Sequence, residues 1–173
     1  ELNNIFLEVI IGNGFDSDAL KILKKKKNLR LIDSTNFIVS NALKFTSANE
    51  NILIQSEDKK KFTKKNFRIV SKKKPSKLQF DDLIFAFNVC RYVKSNAIVL
   101  VANKTTVGIG SGQPSRLDSC QIAIDKMNKF TKQTSTDLVS ASDAFFPFVD
   151  GLEKLVQSGV RAVIQPAGSI RDK

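Results

Sequence analysis

Three stretches of this chain hold residue types that could act on a ligand. In the first, Gly108-Ile109-Gly110-Ser111-Gly112 joins an apolar run to the start of a helical pattern. Glycines let a backbone approach a ligand closely, and free amides at a helix start attract anions. Arg116 follows in the first turn and would add a fork of donors for a phosphate. The spacing is neither that of a Walker loop nor GxGxxG, and a tight turn requiring positive φ explains the glycines as well. In the second stretch, Asp143-Ala144-Phe145-Phe146-Pro147-Phe148-Val149-Asp150-Gly151 sets three aromatic residues and a proline between two aspartates. Such a segment can wall a flat aromatic ligand while a carboxylate fixes its polar edge. It can equally plug a core at the end of a strand. In the third, Lys94-Ser95-Asn96 precedes an apolar run, where the Asn96 amide would donate to and accept from a substrate, or form a turn. Pro166-Ala167-Gly168-Ser169 repeats the arrangement of small residues after a strand, with a plain turn as its simplest reading.

What is missing restricts the chemistry further. The 173 residues contain no histidine. No Ser-His-Asp or Cys-His nucleophile system, histidine-ligated metal or histidine general base can be built from this chain alone. Cys90 and Cys120 have no CxxC spacing, which argues against a disulfide scaffold or zinc ribbon and for two small apolar residues on helix faces. Their free state suits a reducing cytosol. No apolar run reaches the roughly 18 residues of a membrane span, and Glu1-Leu2-Asn3-Asn4 does not open a signal peptide. The expected location is therefore cytoplasmic, with no membrane partner.

The net charge is +11, from 28 basic and 17 acidic residues. Residues 51 to 80 hold ten Lys/Arg against two Asp/Glu. Lysine runs there could act as point charges against phosphates, but aromatic interleaving is thin and arginine, the better reader of bases, is scarce. A solvated lysine-rich surface is the simpler expectation, with no specific nucleic acid as partner.

The elements that must position these residues read as α/β. Phe6 to Ile11 predicts a short buried strand. Asp16 or Ser17 caps a helix with Ala19, Leu20 and Leu23 on its apolar face and Ile22 as a further candidate, the lysines 24 to 27 fall in its last turn, and Leu29 to Ile32 forms a second strand. That is a βαβ-like unit. Asn51 to Gln55 and Phe67 to Val70 read as strands joined by a basic connection, with residues 36 to 71 otherwise less clear. Ser76 caps a helix carrying Leu83, Ile84, Phe87, Val89 or Cys90, and Tyr92. Ala97 to Ile109 predicts a β-hairpin turning through Asn103-Lys104-Thr105. Ser115-Arg116-Leu117-Asp118 fits a capping box ahead of a helix with Leu117, Cys120, Ile124 and Met127 on one face. Leu138 to Ser142 and Ala162 to Gln165 read as strands, and Leu152 to Ser158 as a helix ended by Gly159. The length suits one domain or two small ones, with a boundary expected at residues 72 to 78, giving sub-structures 1–75 and 76–173.

Read jointly, four segments resemble a known family in the same order. They are Lys94-Ser95-Asn96-Ala97-Ile98-Val99, Gly108-Ile109-Gly110-Ser111-Gly112-Gln113-Pro114-Ser115-Arg116, Ala141-Ser142-Asp143-Ala144-Phe145-Phe146-Pro147-Phe148 and Ile164-Gln165-Pro166-Ala167-Gly168-Ser169-Ile170-Arg171-Asp172. They are similar to the bifunctional purine-biosynthesis enzymes with AICAR transformylase and IMP cyclohydrolase activities. Lys25-Lys26-Lys27-Asn28-Leu29-Arg30 also resembles that family's KKKNLR segment. The resemblance covers essentially the whole chain and falls in the interior of the transformylase region. It implies a cytidine-deaminase-like layered α/β fold with a mixed sheet, without that fold's zinc ligands. The implied reaction moves a formyl group from 10-formyltetrahydrofolate, a cosubstrate, to AICAR in IMP biosynthesis, with no metal required for the chemistry. Asn96 would be catalytic, and Asn96, Arg116 and Phe145 would contact AICAR. Leu117, Asp150, Ser169 and Ile170 would line the folate side. The family's sites form at a dimer interface, so a homodimer or the remainder of the enzyme is the expected partner. Its lysine-histidine pair lies upstream of Glu1, so this chain is expected to be inactive alone. A folate- or nucleotide-binding module without turnover and a basic nucleic-acid-binding domain are the alternatives.

Overall fold

A computed structural model describes residues 2–37, 43–60, 62–130 and 137–168. The chain divides into two units, Glu1–Lys59 and Lys60–Lys173.

In the first unit, β1 (Val9–Gly12) and β2 (Arg30–Asp33) pair in parallel around α1 (Ser17–Leu23). This is the predicted βαβ unit. Asp16 caps α1 by accepting from Ala19 N at 2.7 Å. Lysines 24 to 27 follow the helix instead of completing its last turn. Lys26 is drawn away because its Nζ donates to the carbonyls of Leu2 and Ile5 at 3.2 and 2.7 Å. β1 is not the buried strand its sequence predicts. A two-stranded sheet offers little cover, and Val9 and Ile11 stay 44% and 67% exposed. A hairpin of β3 (Leu43–Ala48) and β4 (Asn51–Ser56) follows, antiparallel, with Asn49 at φ 53° in its turn. Sequence periodicity shows β4 and misses β3.

The second unit is a mixed four-stranded sheet in the order β6-β5-β7-β8, from β5 (Ile98–Ala102), β6 (Thr105–Gly110), β7 (Val139–Ser142) and β8 (Ala162–Ile164). β5 is antiparallel to both β6 and β7, and β7 runs parallel to β8. Helices cover both faces. α2 (Lys77–Cys90) lies on one, where Leu83, Ala86 and Cys90 pack on Val99, Val101, Val139 and Ala141. α3 (Arg116–Phe130) and α4 (Asp150–Gln157) lie on the other, where Cys120, Ala123, Ile124 and Leu155 pack on Ile98 and Leu100. Alternate residues of β5 thus enter opposite cores, which is why the strand reads as an unbroken apolar run. Every residue of β5 is buried.

Two predicted features differ. The boundary lies at Lys59/Lys60 rather than at residues 72 to 78. Phe67–Val70 is no strand, because Phe67 and Phe62 turn onto Phe87 of α2 with ring centroids 5.3 and 5.0 Å away. That aromatic cluster attaches residues 62 to 75 to the second unit. Tyr92 lies past the end of α2 and is 86% exposed. The Ser76 cap is present, in a reciprocal box with Gln79. The buried Asp82 of α2 also holds the β5–β6 turn, where its two oxygens accept from Asn103 N and Lys104 N at 2.8 Å each. Both of those residues have positive φ, 52° and 54°, the geometry of a two-residue hairpin turn.

The glycines of β6 are explained by close packing. A Cβ on Gly108 would lie 2.1 Å from the carbonyl oxygen of Ala123, and one on Gly110 only 1.9 Å from that of Ser119. α3 therefore rests directly on the β6 backbone. Gly110→Ala is expected to cost about 2–3 kcal/mol or more through forced separation of helix and strand. Urea unfolding followed by circular dichroism measures it, and a loss under about 0.5 kcal/mol would show that α3 can shift without cost.

Candidate functional site

A cleft of about 410 Å³ opens at one end of the second unit's sheet. Three elements build it: the residues entering β5, the start of α3, and the segment between β7 and α4. Its lining includes Asn96, Arg116, Leu117, Phe145, Phe148 and Asp150.

The polar side of the cleft is a single hydrogen-bonded network. Arg116 Nη1 donates to Ser142 Oγ at 2.7 Å and to Asp143 Oδ1 at 2.5 Å, and Nη2 donates to Asn96 Oδ1 at 2.8 Å. Asn96 Nδ2 donates to the carbonyls of Gln113 and Pro114 at 2.9 Å each. Ser119 Oγ reaches the Asn96 carbonyl at 2.8 Å. Asp143 also accepts from Ala97 N at 2.9 Å and from the Ser95 hydroxyl. The Ser95–Asn96 peptide is cis. The ion pair is well shielded, with side chains only 11% (Arg116) and 19% (Asp143) exposed. Burial alone would push the Asp143 carboxyl up. Hydrogen bonds from Ser95, Arg116 and Ala97, with the guanidinium charge, outweigh it and hold the group below the usual carboxylate value.

This arrangement changes what Arg116 can do. Its charge is already matched by Asp143, so it is a fixed donor more than a free cation awaiting a phosphate. The Gly110-Ser111-Gly112 backbone is likewise occupied: Gly112 N donates to Lys94 O at 2.8 Å. Of Gly108, Gly110 and Gly112, only Gly112, past the end of β6, has positive φ, at +69°.

The aromatic segment divides between the core and the cleft. Phe146 is 6% exposed and plugs the core beside α4, where a Cβ on Gly151 would come within 2.8 Å of its ring. Its amide donates to Gln165 Oε1 at 2.9 Å. Phe145 and Phe148, at 38% and 57% exposed, form the accessible wall. Gly168 lies beside the Phe145 ring, since its Cβ would be 3.6 Å from Cδ1. Asp150 stands in the first turn of α4 at the cleft edge.

Five of the seven residues singled out from the sequence, Asn96, Arg116, Leu117, Phe145 and Asp150, thus share one cleft. Ser169 and Ile170 lie outside the described residues. The sequence reading missed Ser95, Ser119, Ser142 and the role of Asp143. The available signal was Ser142, a hydroxyl ending a short buried strand, next to an aspartate. Among the described residues no group of three His, Cys, Asp or Glu side chains could hold a metal ion, and no helix is long and apolar enough to cross a membrane.

The site is therefore a cleft in an α/β chain, with an amide and a guanidinium fixed on its polar side and aromatic residues as its wall. A family model described as AICARFT/IMPCHase bienzyme matches residues 1–126. Proteins called "Bifunctional purine biosynthesis protein PurH" align over nearly the whole chain. That of Pelodictyon phaeoclathratiforme is 42% identical over 171 residues, covering 99% of this chain and 32% of its own length. That of Fusobacterium nucleatum is 44% identical, covering 99% and 33%. That of Buchnera aphidicola is 43% identical, covering 97% and 32%. The chain spans about a third of the length of the curated relatives it matches. It belongs to the AICARFT/IMPCHase bienzyme family.

Two outcomes follow from the buried groups. Burial pushes the thiol of Cys90 up to about 12, with the Asp143 charge adding to it, and that of Cys120 up to about 11. Neither thiol should react with iodoacetamide at pH 8 in the folded chain, and both should react in urea. Mass spectrometry reads the labelling, and fast native modification would contradict the burial. For Asp143, a lowered folded value means its contribution to stability is present above the ordinary carboxylate pKa and is lost as pH falls through the folded value. Asp143→Asn should therefore flatten the stability profile below about pH 4. Chemical unfolding of both proteins from pH 7 to 2 checks it; parallel profiles would show that the ion pair carries no pH-linked stability.

Proposed function

We propose that this chain forms the AICAR- and folate-facing walls of an AICAR formyltransferase in purine (IMP) biosynthesis. The observation that carries the reading is the gathering of Asn96, Arg116, Leu117, Phe145 and Asp150 around one cleft, in a chain whose relatives are bifunctional purine biosynthesis proteins. In the reaction, the bond between the formyl carbon and N10 of 10-formyltetrahydrofolate breaks and a bond to the 5-amino nitrogen of AICAR forms. N10 gains a proton and the amine loses one. The amine is a weak nucleophile because its lone pair is delocalised into the imidazole, so catalysis depends on holding the two reactants in contact and on managing that proton.

Asn96 and Arg116 supply the donors and acceptor that fix the AICAR edge, and Phe145 lies at the contact between the two substrates. Leu117 and Asp150, with Ser169 and Ile170, line the folate side, where the Asp150 carboxylate meets the donor edge of the pterin. Folate is a cosubstrate, and the chemistry calls for no metal. No histidine exists in these residues, so a histidine-dependent proton transfer would be supplied by other polypeptide. The two-sided covering of the sheet supports a cytidine-deaminase-like layering, a homodimer would complete the site, and the setting would be the cytoplasm.

A second reading, a binding module without turnover, is favoured by the missing histidine. Calorimetry on the 173-residue chain at moderate salt, with AICAR and then a folate analogue, tests both. AICAR binding that Arg116→Ala weakens about tenfold or more, in a variant with unchanged circular dichroism, is the expected outcome. Formyl transfer in the same samples separates the two readings. Steeply salt-dependent duplex binding with no AICAR binding would overturn both in favour of a nucleic-acid partner.

A further inference from the structure

We infer that Asp143 is the positioning residue of the cleft, setting the guanidinium of Arg116 and through it the amide of Asn96. The inference rests on the AICAR reading above and adds a residue which that reading does not use. Asp143 is not among the residues that line the cleft, so it acts on a ligand only through its neighbours. Its carboxylate joins three parts of the fold. Oδ1 accepts from Arg116 at the start of α3 at 2.5 Å and from Ala97 N at the mouth of β5 at 2.9 Å, while Oδ2 accepts from the Ser95 hydroxyl. Asp143 itself follows directly on β7.

The consequence for Arg116 follows from counting donors. A guanidinium has five N–H groups in a rigid plane. Here Nη1 is committed to Ser142 and Asp143, and one N–H of Nη2 to Asn96. Nε–H and the second N–H of Nη2 have no partner among the described residues, on a side chain that lines the cleft. Asp143 thus fixes the plane in which the two remaining donors are offered. Without it, a long side chain would regain rotamer freedom, and Asn96 Oδ1 would lose its fixed partner. An asparagine at 143 keeps the shape but removes the charge, and its NH₂ cannot accept from Ser95.

The test uses the 173-residue chain as wild type, Arg116→Ala, Asp143→Asn and the double variant. AICAR affinity is measured by calorimetry, and the Arg116 guanidinium is followed without ligand by ¹⁵N NMR. Each single variant is expected to weaken AICAR binding about tenfold or more, and the double variant to be no weaker than Arg116→Ala alone. The Arg116 Nη signals should be resolved in the wild type and collapse in Asp143→Asn. If the Asp143 loss recurs undiminished in the Arg116→Ala background, or the Nη signals survive Asp143→Asn, the positioning role is overturned. If the wild type binds no AICAR, the proposed function fails, while the ligand-free NMR comparison still decides the role of Asp143. Should Asp143→Asn not fold, the coupling across the hydrogen bond between Arg116 Nη1 and Asp143 Cγ is measured in the wild type with and without AICAR. Persistence in the bound state supports the assignment, and its loss on binding overturns it.

Discussion

The cleft depends on one contact, the shielded ion pair between Arg116 and Asp143. A buried pair of this kind is weak evidence for stability, because desolvation offsets much of the attraction. Its value here is geometric. The carboxylate is bonded by a side chain from the α3 start, a backbone amide at the mouth of β5 and a hydroxyl one residue before Asn96. These groups come from segments far apart in sequence from Asp143. Any ligand that reads the cleft therefore meets donors whose directions were fixed by folding, and little ordering remains to be done on binding.

That contact can form only because α3 approaches the sheet very closely. Gly108 and Gly110 remove the side chains that would hold the helix off β6. Arg116, in the first turn of the same helix, is thereby brought level with the end of β7. The unbroken apolar run of β5 has a related role. With both faces buried against helices, the strand cannot slip by one residue without exchanging two cores, so the register that brings Asn96 opposite Gln113 and Pro114 is firmly set.

Much of this was legible in the sequence, and the gaps have physical causes. Caps, hairpin and helix faces in the second unit could be read because local rules and tertiary packing agree there: Ser76 does cap α2, and Asn103-Lys104 does turn. Phe67–Val70 misled because a short stretch with three apolar residues around Arg68 suits a strand or a docking loop equally, and the ring of Phe87 decided between them. β3 was missed because Leu43–Ala48 is exposed throughout, which leaves no burial alternation to print on the sequence. In the site, Asn96, Arg116 and Phe145 stood out by type and setting. Asp143 did not, since its function is to hold another side chain. The Gly108–Gly112 cluster was visible, but composition cannot tell a glycine that admits a ligand from one that admits a helix.

Charge shows a division of labour between surface and cleft. The chain carries +11, mostly as lysines whose field reaches over roughly a Debye length of 8–10 Å. Inside the cleft the shielded Arg116 is neutralised by its own aspartate. On the proposed reading, long-range attraction and close recognition would be carried by different groups. On the proposed reading both substrates are anions, so the lysines would raise the rate of arrival, and the fixed amide and guanidinium edges would set what stays. Such a site gains selectivity from unpaired donors that a wrong ligand leaves unsatisfied, and it gains little from net charge. Raised salt should accordingly act on encounter far more than on the lifetime of the bound state, a separation that a cleft built around a free cation would not give.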